Sequence, residues 1–351
     1  MASGTLVAAS ARSRVGPKAW RDELMRVLLA YDGSAGAAEA VALAEAIPWP
    51  SDSVLRVVSV IEPIMMPISG PWDRGAALAP ELDAAITESA HETMREAVER
   101  LGASGISVEG LVLRGRAASA IIDAAVEFRA DLVMVGSRGH GTIASLLLGS
   151  VSSEVVDHAP CPVLVARGKT LSRVVFATDE SPSAQAAETI LARWAIFDGS
   201  PIRVVSVADV VHPWTAGIAP TMYGRVLDAY AADKRQAKLE HERAAADATA
   251  RLRDAGRVAE AEMRHGDAAG EIVAVAEQRG ADLIVLGSRG RTGLTRLLLG
   301  SVARNVLSGS SASVLIVPDA TEERTEIGTV APRRLRPDRQ QMDPGLAPPS
   351  T

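Results

Sequence analysis

Short, uninterrupted apolar segments alternate along the chain with longer segments rich in alanine. Leu132–Gly136 is one of the apolar segments, and its unbroken pattern is typical of a strand buried on both faces of a sheet. Ala35–Ala46 and Ala117–Phe128 are alanine-rich segments with the length and propensity of helices. Strands that alternate with helices predict right-handed βαβ units and a mostly parallel sheet.

The predicted strands of the first half are Val27–Tyr31, Val54–Val60, Val108–Arg114, Leu132–Gly136 and Val163–Ala166. The predicted helices are Ala35–Ala46, Glu81–Leu101, Ala117–Phe128 and Val151–Asp157. A segment rich in proline and glycine, Glu62–Pro80, predicts a loop before the second helix. The second half follows the same order from Val174 to Val317.

The two halves are copies of one unit. RVLLAYD at Arg26–Asp32 returns as RVVFATD at Arg173–Asp179, 147 residues later. DLVMVGSRG, which begins at Asp131, returns as DLIVLGSRG at Asp282, 151 residues later. A period of this size indicates a duplicated domain. We predict domains at residues 23–168 and 171–319, with disordered polar tails at 1–22 and 320–351.

A glycine pattern, G-x-x-G followed by nine residues and G-S, comes after the fourth predicted strand of each half. Its residues are Gly136, Gly139, Gly149 and Ser150, and then Gly287, Gly290, Gly300 and Ser301. Glycines let backbone amides approach a phosphate, and a helix that begins there adds its positive dipole end. Arg138 and Arg289 either add charge or point into solvent. The alternative is that the glycines only shape turns.

These motifs resemble the ATP-binding signature of the universal stress protein family. VLLAYDGS at the first strand, RGRAASAII after the third and HAPCPVLVA before the last are also similar to the family pattern. The resemblance covers two copies of the family domain and implies an α/β fold of two tandem doubly wound domains. Each would have a five-stranded parallel sheet in the order 3-2-1-4-5 flanked by helices, with ATP and Mg²⁺ as ligands.

The resemblance also implies roles for single residues. Asp32 and Asp179 match the acidic residue beside the adenosine and its metal ion. Val60 and Val207 match the strand end whose backbone contacts adenine, and Gly115 and Gly266 follow the third strand, where the family also contacts ligand. The phosphate and ribose loops would comprise Gly136, Arg138, Gly139, Gly149 and Ser150 in one half and Gly287, Arg289, Gly290, Gly300 and Ser301 in the other.

Composition excludes several other classes. The net charge of −6 gives no reason to expect nucleic-acid binding, and no apolar run is long enough to span a membrane. Cys161 is the only cysteine, so an intramolecular disulfide is impossible and a reducing cytoplasm is expected. The start of the chain lacks the basic region of a secretory signal. The six histidines show no metal-ligand spacing.

We therefore expect an ATP-binding stress regulator with little or no turnover. No P-loop and no G-x-S-x-G elbow is present, and no residue stands out as a general base. The alternatives are a weak Mg-dependent ATPase or nucleotidyl-transfer enzyme that uses Asp32 or Asp179, and a scaffold that binds no nucleotide. The protein partner is not indicated.

Differences between the halves predict two unequal sites. Glu180 stands where the first half has Gly33, and Arg291 stands where it has His140. Because the family dimerises through the last strand, the resemblance implies an internal pseudo-dimer with Val163–Ala166 beside Val314–Val317. It leaves open whether two chains form a homodimer.

Overall fold

A computed structural model describes residues 24–62, 73–103, 105–139, 148–208, 223–290 and 299–319. The predicted tails and the residues His140 and Arg291 lie outside these ranges.

The N-terminal half contains five strands and four helices in the predicted order. They are β1 Arg26–Ala30, α1 Ala35–Ala46, β2 Val54–Ile61, α2 Asp73–Gly102, β3 Ser107–Arg114, α3 Ala117–Phe128, β4 Leu132–Gly136, α4 Ser150–His158 and β5 Val163–Ala166. The C-terminal half repeats them as β6 Val174–Ala177, α5 Pro182–Arg193, β7 Ile202–Ala208, α6 Tyr223–Asp254, β8 Ala259–His265, α7 Ala268–Arg279, β9 Leu283–Gly287, α8 Ser301–Gly309 and β10 Ser313–Val317.

All ten strands form one sheet in the order β3-β2-β1-β4-β5-β10-β9-β6-β7-β8. Each half has the order 3-2-1-4-5 and is parallel throughout, which confirms the predicted fold class. The halves meet where β5 pairs with β10 in antiparallel register, with Leu164 opposite Leu315. Every strand of one half therefore runs opposite to every strand of the other.

The helices cover both faces of the sheet and enclose two buried clusters. One cluster contains Leu29, Leu164, Phe176 and Leu315 together with residues of α1, α2, α5 and α6. The other contains Leu28 and residues of α3, α4, α7 and α8. Neighbours such as Leu28 and Leu29 face opposite sides because side chains alternate along a strand. Each cluster includes residues of both halves, so the two halves share their cores.

The prediction that a loop extends to Pro80 is wrong. Helix α2 begins at Asp73 and continues through Pro80 to Gly102. Proline removes one backbone donor, and it usually ends or kinks a helix. In a helix of 30 residues one missing bond leaves the remaining ladder in place.

One carboxylate of the C-terminal half binds the connection between the halves at several points. Asp282 accepts hydrogen bonds from the Thr170 hydroxyl at 2.7 Å, from the Ser172 hydroxyl at 2.6 Å and from the amides of Ser172 and Arg173. Burial opposes its ionisation, but these hydrogen bonds outweigh burial, so the pKa of Asp282 lies below its ordinary value. In the N-terminal half, Asp131 holds the amide of Arg26 in the same way at 2.8 Å.

We predict that Asp282→Asn lowers the stability of the protein at neutral pH and that acid removes the difference. Because the pKa is depressed in the folded state, the carboxylate contributes fully above its unfolded value of about 3.9 and loses that contribution as pH falls through the folded value. Urea unfolding of both proteins between pH 3 and pH 7 measures this, with Asp52→Asn as the control. A constant difference across that range would contradict the prediction.

Candidate functional site

The end of β4 lies directly against the start of α1 because both contact residues are glycines. A Cβ on Gly136 would lie 2.3 Å from the backbone carbon of Gly36, and a Cβ on Gly36 would lie 2.2 Å from the carbonyl oxygen of Arg138. No side chain fits between the two segments. This contact brings the glycine loop that follows β4 beside the loop that follows β1.

Asp32 occupies the turn between β1 and α1 and faces the glycine loop. Its Oδ1 accepts a hydrogen bond from the amide of Ser34 at 2.9 Å. Its Oδ2 lies 2.8 Å from the position that a Cβ on Gly139 would take, so a larger residue at 139 would displace the carboxylate. The Ser34 hydroxyl caps α1 through the amide of Ala37 and also donates to the carbonyl oxygen of Arg138 at 3.2 Å. One serine thus joins the two loops.

Gly149 closes the other side of the loop and begins α4. Its amide donates to the carbonyl oxygen of Ser137 at 2.9 Å, and a Cβ on it would lie 3.6 Å from the amide nitrogen of Gly139. The helix starts at Ser150 with no side-chain cap, so its first amides point out of the helix end. The buried Ser152 hydroxyl donates to the carbonyl oxygen of Gly136 at 2.7 Å and holds α4 to β4.

The C-terminal half builds the same contact, with a serine in place of one of the two glycines. Ser183 stands where Gly36 stands in the first half, and its hydroxyl donates to the carbonyl oxygen of Arg289 at 2.5 Å. Ser181 caps α5 and donates to the same oxygen at 3.1 Å. Gly290 approaches Asp179 as Gly139 approaches Asp32, with a Cβ at 2.9 Å from Oδ2. The amide of Gly300 donates to the carbonyl oxygen of Ser288 at 2.8 Å.

The other predicted residues lie farther along the same sheet edges. Val60 and Val207 stand one residue before the ends of β2 and β7, among the apolar side chains on one face of the sheet. Gly115 and Gly266 follow β3 and β8 with φ of 145° and 138°, and their amides donate to the ends of β2 and β7. The structure places these four residues next to the strand ends. Asp32 and Asp179, by contrast, lie against the glycine loops.

The charged residues of the loops differ between the halves. Arg138 is exposed and Arg289 is half-buried. Glu180 is exposed, has a left-handed backbone with φ of 60°, and belongs to the carboxylates around Arg251. Glu188 first, and then the other carboxylates including Glu180, raise the pKa of Arg251 against the effect of burial. The Glu180 carboxylate therefore interacts electrostatically with Arg251 of α6.

We define site 1 as Asp32, Gly136–Gly139, Gly149 and Ser150, and site 2 as Asp179, 287–290, Gly300 and Ser301. Both sites lie at the carboxyl ends of their strands. Because β5 and β10 are antiparallel, the carboxyl ends of one half lie beside the amino ends of the other, so the two sites lie at opposite edges of the shared sheet. The sequence analysis missed the serines that join the loops, which are Ser34, Ser152, Ser181 and Ser183. For Ser34 and Ser181 a signal exists, since a serine before an alanine-rich helix is a typical N-cap.

A metal site made of protein side chains alone, and chemistry at a reactive thiol, find little support in the part of the chain that the structure describes. No group of three or more histidine, cysteine, aspartate or glutamate side chains is placed there to hold a metal ion. Burial, and then the charge of Asp131, raises the pKa of Cys161 to about 12, which keeps it a thiol at neutral pH. None of the described helices has the length and apolar character needed to cross a bilayer.

We predict that Gly36→Ala destabilises the protein by about 1–3 kcal/mol, because the new methyl group collides with the backbone oxygen of Arg138. Ser183 shows that the fold accepts a side chain at this position when a hydroxyl donates to the opposing loop, and alanine cannot donate. Gly102→Ala is the matched control, since its methyl group meets open space. Urea unfolding compares the two variants, and equal stability would contradict the steric argument.

The chain matches the universal stress protein family over residues 23–167 and again over residues 170–318. A universal stress protein of Thermus aquaticus is 37% identical over 142 residues, which is 40% of this chain and 97% of that protein. Another, from Mycolicibacterium smegmatis, is 26% identical over 83% of this chain and 96% of its own length. The crystal structure of a universal stress protein from Archaeoglobus fulgidus covers 84% of this chain and 98% of its own, with a TM-score of 0.57 and 21% identity. This chain belongs to the universal stress protein family, with two copies of the family domain in tandem.

Proposed function

We propose that the protein binds two molecules of ATP with Mg²⁺, one at site 1 and one at site 2, and that it acts as a nucleotide-dependent regulator with little or no turnover. One observation carries the proposal. On both sheet edges, an aspartate, a glycine loop and an uncapped helix start are held together at the carboxyl ends of the strands. In open α/β sheets this is the place where ligands bind.

The helix starts supply the chemistry that a phosphate needs. Gly149 and Gly300 are the N-cap residues of α4 and α8, and neither cap is formed by a side chain. The first amides of such a helix donate hydrogen bonds, and the helix dipole favours negative charge. Ser150 and Ser301 are exposed first residues of these helices, so their hydroxyls can add one hydrogen bond each. The donor set fits a triphosphate.

A buried hydroxyl also fits a ligand at site 2. Ser288 is 9% exposed as a whole residue, and its Oγ has no hydrogen-bond partner among the described residues. Burying a hydroxyl without a partner costs about 1–3 kcal/mol, so such groups are rare in folded proteins. Ser288 is the second residue of the glycine loop, so this unpaired hydroxyl lies in the loop that we assign to the ligand.

Each site also contains one carboxylate for Mg²⁺. Magnesium in nucleotide sites is typically held by one or two carboxylates, phosphate oxygens and water, so a single aspartate suffices. Asp32 and Asp179 face their glycine loops, next to the helix starts that we assign to the phosphates. Mg²⁺ there would neutralise phosphate charge. The backbone of Val60 and Val207 is the part assigned to adenine, from the resemblance to the family.

A regulatory role agrees with the character of the described residues. Hydrolysis needs a base that positions water, and the sequence contains no motif that supplies one. We infer a cytoplasmic protein, because its one cysteine is a buried thiol. We also interpret the pairing of β5 with β10 as an internal counterpart of a dimer.

Titration calorimetry with Mg-ATP tests the proposal, and we expect two bound nucleotides per chain. Gly149→Leu should reduce this number to one, because the added side chain occupies the phosphate position of site 1. A Cβ at 149 has only ordinary contacts at 3.6 Å, so the variant is expected to fold. Asp52→Asn, in a surface turn, should keep both sites. Absence of heat with the unaltered chain, or two sites in Gly149→Leu, would contradict the assignment.

A turnover assay separates the regulator from a weak ATPase or nucleotidyl-transfer enzyme. We expect phosphate release from Mg-ATP at a rate that Asp32→Ala and Asp179→Ala do not lower, because the aspartates bind the metal–nucleotide complex and no described side chain activates water there. The measurement uses saturating nucleotide, so that a variant's weaker binding of nucleotide does not lower the measured rate. A rate that falls at least tenfold in either variant would establish an enzyme.

A further inference from the structure

Arg167 lies at the edge that contains site 1. It is the first residue after β5, and its neighbour Ala166 pairs with Gly136, where the glycine loop of site 1 begins. Desolvation, and then the charge of Arg138, lowers the pKa of Arg167, which agrees with a place beside that loop. Arg167 is therefore a residue of the N-terminal half at the mouth of site 1.

The side chain of Arg167 nevertheless binds the C-terminal half. Its Nη1 donates to the carbonyl oxygen of Ser310 at 2.8 Å, and its Nη2 donates to that of Leu307 at 2.5 Å. Its backbone amide donates to the hydroxyl of Ser313 at 3.1 Å. Leu307 belongs to the last turn of α8 and Ser310 is the C-cap of that helix. A guanidinium there satisfies carbonyl groups that have no partner within the helix and complements its negative dipole end.

Helix α8 connects this contact to site 2. Its first residue is Ser301 and its N-cap is Gly300, which are the residues that we assign to the phosphates of site 2. The helix has nine residues, so its two ends are roughly 13 Å apart at 1.5 Å per residue. An α-helix of this length moves as one body. A displacement at its carboxyl end therefore changes the position of its amino end.

The arrangement has no counterpart in the other direction at the matching residue. Pro318 follows β10 as Arg167 follows β5, and proline has no side-chain donor. Arg304 of α8 and Asp157 of α4 also join the halves, but at 3.4 Å and with the arginine side chain 50% exposed. Exposed ion pairs of this kind contribute little. Arg167 therefore supplies the stronger of these two described contacts to α8, and it does so at the carboxyl end.

We propose that Arg167 of the N-terminal half is a positioning residue for the phosphate-binding helix of site 2, so that nucleotide binding at site 2 depends on the first half of the chain. This proposal rests on the proposed function. Site 1 needs no such residue from the second half, because Ser152 anchors α4 to β4 within its own half. The two sites would then differ in affinity because different residues anchor their helices, in addition to the differences between their loops.

Arg167→Lys tests this proposal while keeping a positive charge near site 1. Lysine has no planar fork, so it cannot donate to both carbonyl oxygens in the observed geometry. We expect the Kd of site 2 for Mg-ATP, measured in a Gly149→Leu chain, to rise about five- to tenfold, as for the loss of one charge-assisted hydrogen bond. The Kd of site 1, measured in a chain with Gly300→Leu, should change less than twofold. Arg304→Lys is the matched control and should leave both values unchanged.

Hydrogen exchange of α8 supplies a readout that needs no nucleotide. We expect faster exchange of the amides of residues 304–310 in Arg167→Lys and unchanged exchange in Arg304→Lys. An unchanged Kd at site 2, or equal changes at both sites, would overturn the positioning role while leaving the proposed function intact. If the unaltered chain binds no Mg-ATP, the proposed function fails, and unchanged exchange in α8 would then overturn the positioning role separately.

Discussion

The antiparallel pairing of β5 with β10 is the constraint on which the rest of the structure depends. It joins two parallel five-stranded sheets into one and reverses the strand direction at the seam. Because the carboxyl ends of the strands then point to opposite edges, the two candidate sites cannot merge into one cleft. The same pairing makes both buried clusters continuous across the halves, so the stability of each half depends on the other.

Within each half the decisive contact is between the end of the fourth strand and the start of the first helix. In the first half two glycines allow the backbones to touch, and in the second half a serine replaces one glycine and donates a hydrogen bond across the gap. Both solutions place an aspartate beside the glycine loop. The geometry of the site is therefore preserved although the chemistry that supports it has changed, as a duplication followed by divergence allows.

The sequence was sufficient for the helices and strands because their signals are local, whereas the strand order was implied by the resemblance to the family. Ala117–Phe128, Leu132–Gly136 and Val163–Ala166 have their predicted bounds, since alanine content and short apolar runs act within each segment. The predicted start of α2 was wrong because Pro80 locally favours a loop, whereas the helix continues through it. Asp282 and Arg167 were missed for a different reason: their partners lie more than 100 residues away, and only the joined sheet brings them together.

The connection between the halves is a structural element rather than a flexible tether. The connection runs from Arg167, which contacts the end of α8, to Arg173, which precedes β6. Asp282 binds it, and the Ser200 hydroxyl donates to the carbonyl oxygen of Leu171 at 3.0 Å. These contacts lie at the starts of β6, β9 and β10, which is the edge shared with site 1. Among the described residues these contacts are therefore asymmetric: they lie at the strand ends that contain site 1, and they reach site 2 through the carboxyl end of α8. The asymmetry follows from the order of the two copies along the chain, because only the first copy is followed by a connection that must reach its partner.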